Sequence, residues 1–100
     1  MINMEPISID GRTVIGIVVK LPKTSLIAVT TDKGYIMCGA LDVKLLNEQL
    51  KDRNIIAGRA VGVRTLEELL EAPLEAVTDA SAVLGIRAGM KGRDAIRLML

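Results

Sequence analysis

The opening third of the chain alternates, then fills with β-branched residues. Ile7-Ser8-Ile9 puts two apolar side chains on one face of a strand, and Asp10-Gly11 behind it has the chemistry of a two-residue hairpin turn. Arg12 to Lys20 reads Arg-Thr-Val-Ile-Gly-Ile-Val-Val-Lys, a nearly continuous apolar run that predicts a central strand covered on both faces. Leu21-Pro22-Lys23-Thr24 interrupts it, because proline holds the preceding residue extended and has no N–H for a ladder. Ser25 to Thr31 is the next strand, and Asp32-Lys33-Gly34 is a tight turn. Tyr35 to Cys38 returns antiparallel. The pattern predicts a meander of hairpins.

Helical spacing then takes over. Asp42 is placed to cap a helix over residues 43–50, with Val43, Leu46, Leu50 and Leu45 toward the core and Lys44, Asn47, Glu48 and Lys51 opposite; Asp52-Arg53-Asn54 closes it. Residues 55–63 return to period two. One face carries Ile55, Ala57, Arg59, Val61 and Val63, and the other Ile56, Gly58, Ala60 and Gly62. A glycine and alanine face lets another element approach closely. Thr65-Leu66-Glu67-Glu68 has capping-box spacing, with Glu68 able to reach back to the Thr65 amide, and opens a short helix that buries Leu66, Leu69 and Leu70 and stops at Ala72-Pro73. Residues 74–77 fit either a helical turn or a short strand. Thr78 caps residues 79–84, Gly85 ends them in the left-handed conformation, and Gly89-Met90-Lys91-Gly92 leads into a last helix over 93–99.

Together these elements predict one α+β domain over residues 1–100. Its core is a mostly antiparallel, three- to five-stranded sheet with three to four short helices packed on it. The excursion 42–54 is long enough for a helical crossover, so one parallel pair is allowed.

Composition changes this picture in one respect. Half of the 100 residues are hydrophobic, yet Tyr35 is the single aromatic. A core of Val, Ile, Leu, Ala and Met in so short a chain gains from burying further surface against a copy of itself, so a homo-oligomer is expected. Charge mainly excludes. Thirteen Lys and Arg balance twelve Asp and Glu without clustering, and stacking platforms are missing, which argues against nucleic acid. No apolar stretch is long enough to span a bilayer, and residues 1–6 lack the pattern of a secretory signal, so no membrane association is expected. A lone cysteine, Cys38, fits a reducing, cytoplasmic compartment. With no histidine, one cysteine and only scattered Asp and Glu, no metal site is expected, and with neither a nucleotide-type phosphate loop nor a dinucleotide fingerprint, no cofactor is expected.

Few residues carry candidate chemistry. Cys38 is the one possible nucleophile, near a helix start but with no imidazole to serve as its base; the alternative reading is a small buried hydrophobe. Arg59, amid an apolar strand face, must reach solvent, pair with a carboxylate such as Asp42, Asp79 or Asp94, or meet an anion. Lys23, Thr24 and Ser25, at the corner after Pro22, are either turn residues or contacts for a phosphate or carboxylate. Lys91 and Arg93 stand beside amides at a helix start, which is how anion sites are assembled; the plainer reading is a helix cap. Ligand-binding candidates are thus Lys23, Thr24, Arg59, Lys91 and Arg93, and catalytic candidates are Cys38, Arg59 and Lys23. Two functions follow. One is a non-catalytic homo-oligomeric domain binding a small ligand, possible anions included, or a protein. The other is an enzyme acting on a small anionic substrate around Cys38, Arg59 and Lys23.

One resemblance spans nearly the whole chain. Leu21-Pro22-Lys23-Thr24, Gly34-Tyr35-Ile36-Met37-Cys38-Gly39-Ala40-Leu41-Asp42, Ala57-Gly58-Arg59-Ala60-Val61-Gly62-Val63, Leu69-Leu70, Gly85-Ile86 and Gly89-Met90 resemble, in order and spacing, the YunC-like family, also called the DUF1805 domain. The resemblance implies a small α+β domain of bacteria and archaea with no established activity, and it supplies no active site.

Overall fold

Asp10 and Gly11 have φ of 51° and 78°, the paired left-handed geometry of a two-residue hairpin turn, and they join β1 (Ile2–Ile9) to β2 (Arg12–Leu21). Pro22 and Lys23 turn β2 into β3 (Thr24–Thr30), with Leu21 paired to Thr24 and Lys23 at a φ of 64°. At the next turn Thr31 Oγ1 accepts from the amides of Lys33 and Gly34, both at 3.1 Å, and the chain enters β4 (Gly34–Met37). The computed structural model describes all 100 residues.

From β4 the chain crosses over through α1 (Val43–Glu48) and a 3₁₀ turn at Lys51–Arg53 to β5 (Ile56–Arg59), which lies parallel to β4. After α2 (Leu66–Glu71), the two-residue β6 (Ala76–Val77) pairs antiparallel with β5. A 3₁₀ segment (Asp79–Leu84) and α3 (Gly92–Leu98) complete the fold. The sheet order is β1-β2-β3-β4-β5-β6, every neighbour antiparallel except β4 and β5. The α+β class and the single parallel crossover are as expected. The sheet has six strands rather than three to five, because residues 74–77 resolve into β6.

The two faces of the sheet are filled differently. On one, Ile9, Val14, Ile27, Val29, Ile36 and Cys38 pack with Leu66, Leu69 and Leu70 of α2 and Ala95 and Ile96 of α3, and this is the main core. On the other, Leu41, Val43 and Leu46 cover Ala57, with Tyr35, Met37, Leu50, Ile55 and Ala76 around them. This second cluster reaches only the β4–β5 side of the sheet. β2 therefore departs from the expectation that both faces would be covered: no helix lies over its second face.

Other departures have local causes. β1 begins at Ile2, because its partner β2 supplies a ladder as far as Val19. β5 stops at Arg59, since Gly62 takes a φ of 75° and turns the chain away. In α1, Leu45 faces solvent at 45% exposure while Val43 and Leu46 are buried. Asp42 and Thr65 cap as expected, accepting from Leu45 N and Glu68 N, both at 3.0 Å. The reciprocal bond of the capping box shifts by one residue: Glu68 Oε1 accepts from the amide of Arg64, at 2.7 Å, and not from Thr65. Thr78 makes no cap bond. Its buried hydroxyl accepts from Ala57 N at 3.1 Å and meets Ser81 Oγ at 2.8 Å, tying β5 to the segment that follows β6.

Candidate functional site

Cross-strand register sorts the residues of the uncovered face into rows. Ile2 lies beside Val19, and Val19 beside Leu26; Met4 lies beside Ile17, and Ile17 beside Ala28; Pro6 lies beside Ile15, and Ile15 beside Thr30. None of these side chains is charged. Ile2 and Met4 are each 67% exposed, and Ile15, Ile17, Val19 and Leu26 are half-buried. A sheet with one solvated face ordinarily alternates apolar with polar residues, and this face does not. Contiguous exposed apolar surface of this kind marks an interaction site. β1 is also an edge strand, with Pro6 at its middle.

The largest concavity lies elsewhere, between the β2–β3 turn and the loop leading into α2. It measures about 750 Å³ and is lined by Lys20, Leu21, Lys23, Thr24, Ser25, Gly62, Val63 and Arg64. Lys23 and Thr24, singled out in the sequence, are therefore brought together here. Ser25 of the same corner joins them, whereas Lys20 and Arg64 were missed. Alternation along β2 puts Lys20 opposite Ser25, a register that the turn at Pro22-Lys23 fixes; Arg64 carries no local signal, because only tertiary folding brings its loop to the turn.

Arg59 stands apart, on the α1 side of the sheet. Its Nη1 is 3.1 Å from Glu75 Oε2, so its partner is none of Asp42, Asp79 or Asp94, because β6 places Glu75 beside the end of β5. Its Nε is buried without a hydrogen-bond partner. The shallow groove around it, about 530 Å³, is lined by Asp42, Glu48 and Glu75 as well as Lys44 and Arg59, so acidic side chains outnumber basic ones there.

Lys91 and Arg93 are answered by an acid. Arg93 Nε donates to Glu71 Oε1 at 2.9 Å, and Lys91 Nζ lies 3.8 Å from Glu71 Oε2. The Arg93 hydrogen bond, with Arg93, Lys91 and Arg97 charges nearby, holds the Glu71 carboxyl below the ordinary glutamate range. Several of the amides expected to be free at this helix start are also taken. Gly89 N donates to Leu74 O at 2.8 Å and Gly92 N to Ala72 O at 3.0 Å, because the 72–74 strap lies alongside this loop. Residues 89–93 thus have the amides of Gly89, Met90 and Gly92 engaged and both cations facing Glu71, which weakens them as an anion site.

Cys38 is 7% exposed and belongs to the main core. By strand alternation it lies on the α2 and α3 side of the sheet, and Arg59 on the opposite side. No cavity is lined by more than one of Cys38, Arg59 and Lys23. The catalytic constellation considered from sequence is thus not assembled within one chain. No three Cys, Asp or Glu side chains gather as a metal would require, and no helix is long and apolar enough to cross a membrane.

Similarity to other proteins covers the same ground as the fold. Residues 37–99 match the model of the domain of unknown function DUF1805. The uncharacterised protein YunC of Bacillus subtilis is 60% identical over 100 residues, spanning 100% of this chain and 99% of its own length. The crystal structure of a protein of unknown function from Thermoplasma acidophilum superposes with a TM-score of 0.88 at 28% identity, covering 100% of this chain and 94% of that one.

Proposed function

The chain belongs to the YunC-like, DUF1805 family, and from that premise we propose that it is a non-catalytic binding domain that works as a homo-oligomer. The observation that carries the reading is the uncharged, helix-free sheet face formed by β1, β2 and β3. Its occupant must itself be apolar, flat and without charge, and the same face of a second copy meets all three requirements. Two such sheets pack face to face about 10 Å apart, and a twofold axis makes the contact self-complementary.

The absence of histidine and the separation of Cys38, Arg59 and Lys23 support binding over catalysis. Within the assembly, small-ligand or protein recognition falls to the surfaces left open, of which the groove at the β2–β3 turn is the largest.

Sedimentation of the wild-type protein and of Ile17→Glu and Met4→Glu tests this reading. Wild type is expected at a multiple of 10.7 kDa, and each variant at the monomer mass with an unchanged circular dichroism spectrum. Met4 is well exposed on the edge strand, so its substitution leaves the monomer fold intact even where a charge at Ile17 does not. A variant that keeps the wild-type mass overturns the assignment of the face.

A further inference from the structure

We propose that the groove between the β2–β3 turn and the 62–64 loop binds the phosphate group of a small, non-aromatic molecule, or inorganic phosphate itself. The proposal deepens the binding-domain reading and rests on it for the presence of a small ligand, though not on assembly.

Charge is the first ground. Lys20, Lys23 and Arg64 line one concavity of about 750 Å³, and no carboxylate lines it with them. None of the three takes part in an ion pair, whereas Arg59, Lys91, Arg93 and Arg97 each meet an acid. Glu68, on the first turn of α2, is engaged by the Arg64 backbone N–H and does not line the groove. Cations converging without counter-charge repel one another in the empty protein, and they focus a positive potential that an oxyanion relieves.

Donor chemistry is the second ground. The hydroxyls of Thr24 and Ser25 border the same space and are in no hydrogen bond within the chain. Two hydroxyls, two ammonium groups and a guanidinium fork line the same space, a set of donors that suits the several acceptor oxygens of a tetrahedral oxyanion better than a planar carboxylate. Lys23 occupies a left-handed position, φ 64°, where glycine would sit without steric cost. Across the groove a Cβ on Gly62 would meet nothing within 4 Å, so the mouth is open.

The lining also says what the rest of the ligand is. Only Leu21 and Val63 are hydrophobic, and no aromatic side chain is present. Tyr35, the single aromatic, packs in the cluster under α1. A nucleobase finds no stacking surface here, so a sugar phosphate or the bare anion fits better than a nucleotide.

Amide NMR of the full chain, titrated with inorganic phosphate, ribose 5-phosphate, AMP and citrate, tests the proposal. Saturable shifts are expected at residues 20–25 and 62–64, with ribose 5-phosphate and AMP equal in affinity and citrate weaker than either. Lys23→Ala and Arg64→Ala should each weaken phosphate binding roughly tenfold, as for loss of one charge-assisted hydrogen bond, while Lys51→Ala, remote from the groove, leaves it unchanged. If Arg64→Ala does not fold, Lys23→Gly, which suits the left-handed backbone, carries the same expectation. Shifts confined to other residues, or no saturation by about 10 mM, overturn the site. Citrate binding as tightly as the phosphates overturns the phosphate assignment, and AMP binding tighter than ribose 5-phosphate overturns the non-aromatic one. A protein that sediments as a monomer yet shows these shifts contradicts the assembly alone and leaves the groove standing.

Discussion

A Cβ on Gly92 would run into the backbone carbonyl of Leu69, and one on Gly34 into that of Ile56. Backbone cannot swing aside, so Gly92→Ala and Gly34→Ala should each destabilise the fold by about 2 kcal/mol or more in urea titrations. At Gly58 the same addition meets Leu74 Cδ1 at 2.7 Å, the far end of a side chain that can change rotamer. Gly58→Ala should therefore cost less than either. The close approach expected from the glycine and alanine face is real at Gly58, while Gly62 serves a turn instead. Cys38, 7% exposed, should react with a thiol reagent at the rate at which the core opens, and quickly once urea unfolds the chain. Rapid labelling of the folded protein would contradict its placement in the core. Glu71 has a direction in pH. Its carboxyl is held below the unfolded value, chiefly by the Arg93 hydrogen bond. Its contribution is present above the unfolded pKa and is lost as pH falls through the lower folded pKa. Glu71→Gln should accordingly flatten the fall in melting temperature between about pH 5 and pH 3. An unchanged slope would place that acid sensitivity elsewhere.

At the scale of elements, what depends on neighbours in the chain could be read in the sequence, and what depends on distant partners could not. Asp10-Gly11 and the turn after Leu21 fix two hairpins locally, and Asp42 and Thr65 cap the helices they precede. Thr65→Ala should cost about 1 kcal/mol, because the amide of Glu68 loses its acceptor; a cost near zero would mean that the Glu68–Arg64 bond alone fixes the start of α2. The length of β5 was not legible, because the apolar alternation runs on to Val63 while the sheet beside it ends at Met37. β6 was ambiguous for a related reason: two residues carry no period, and pairing with Gly58 and Arg59 makes them a strand. The candidate site divides the same way. Lys23 and Thr24 stood out from the local chemistry of a turn, whereas Arg64 joins them only through the path of α2. The continuous apolar run of β2 announced burial on both faces, but a sequence does not say what supplies the second cover. One chain supplies only the first.

For the whole molecule, that missing cover is the main unbalanced feature. The covered side of the sheet holds Ile27 and Val29 of β3 and Ile36 of β4 at 1% exposure or less, while the opposite side leaves Ile2 and Met4 of the edge strand β1 two-thirds open. A second copy laid on β1 to β3 would balance the two sides and explain why a chain with one aromatic residue spends half its positions on apolar side chains. The groove at the β2–β3 turn has the opposite character, polar and positively charged, and is suited to a ligand rather than to a protein face. Native mass spectrometry of the untreated protein tests the assembly most directly. The account predicts a discrete multiple of 10.7 kDa in wild type that collapses to one chain in Met4→Glu. Wild-type protein found only at the mass of a single chain, at concentrations where a stable dimer forms, would contradict it.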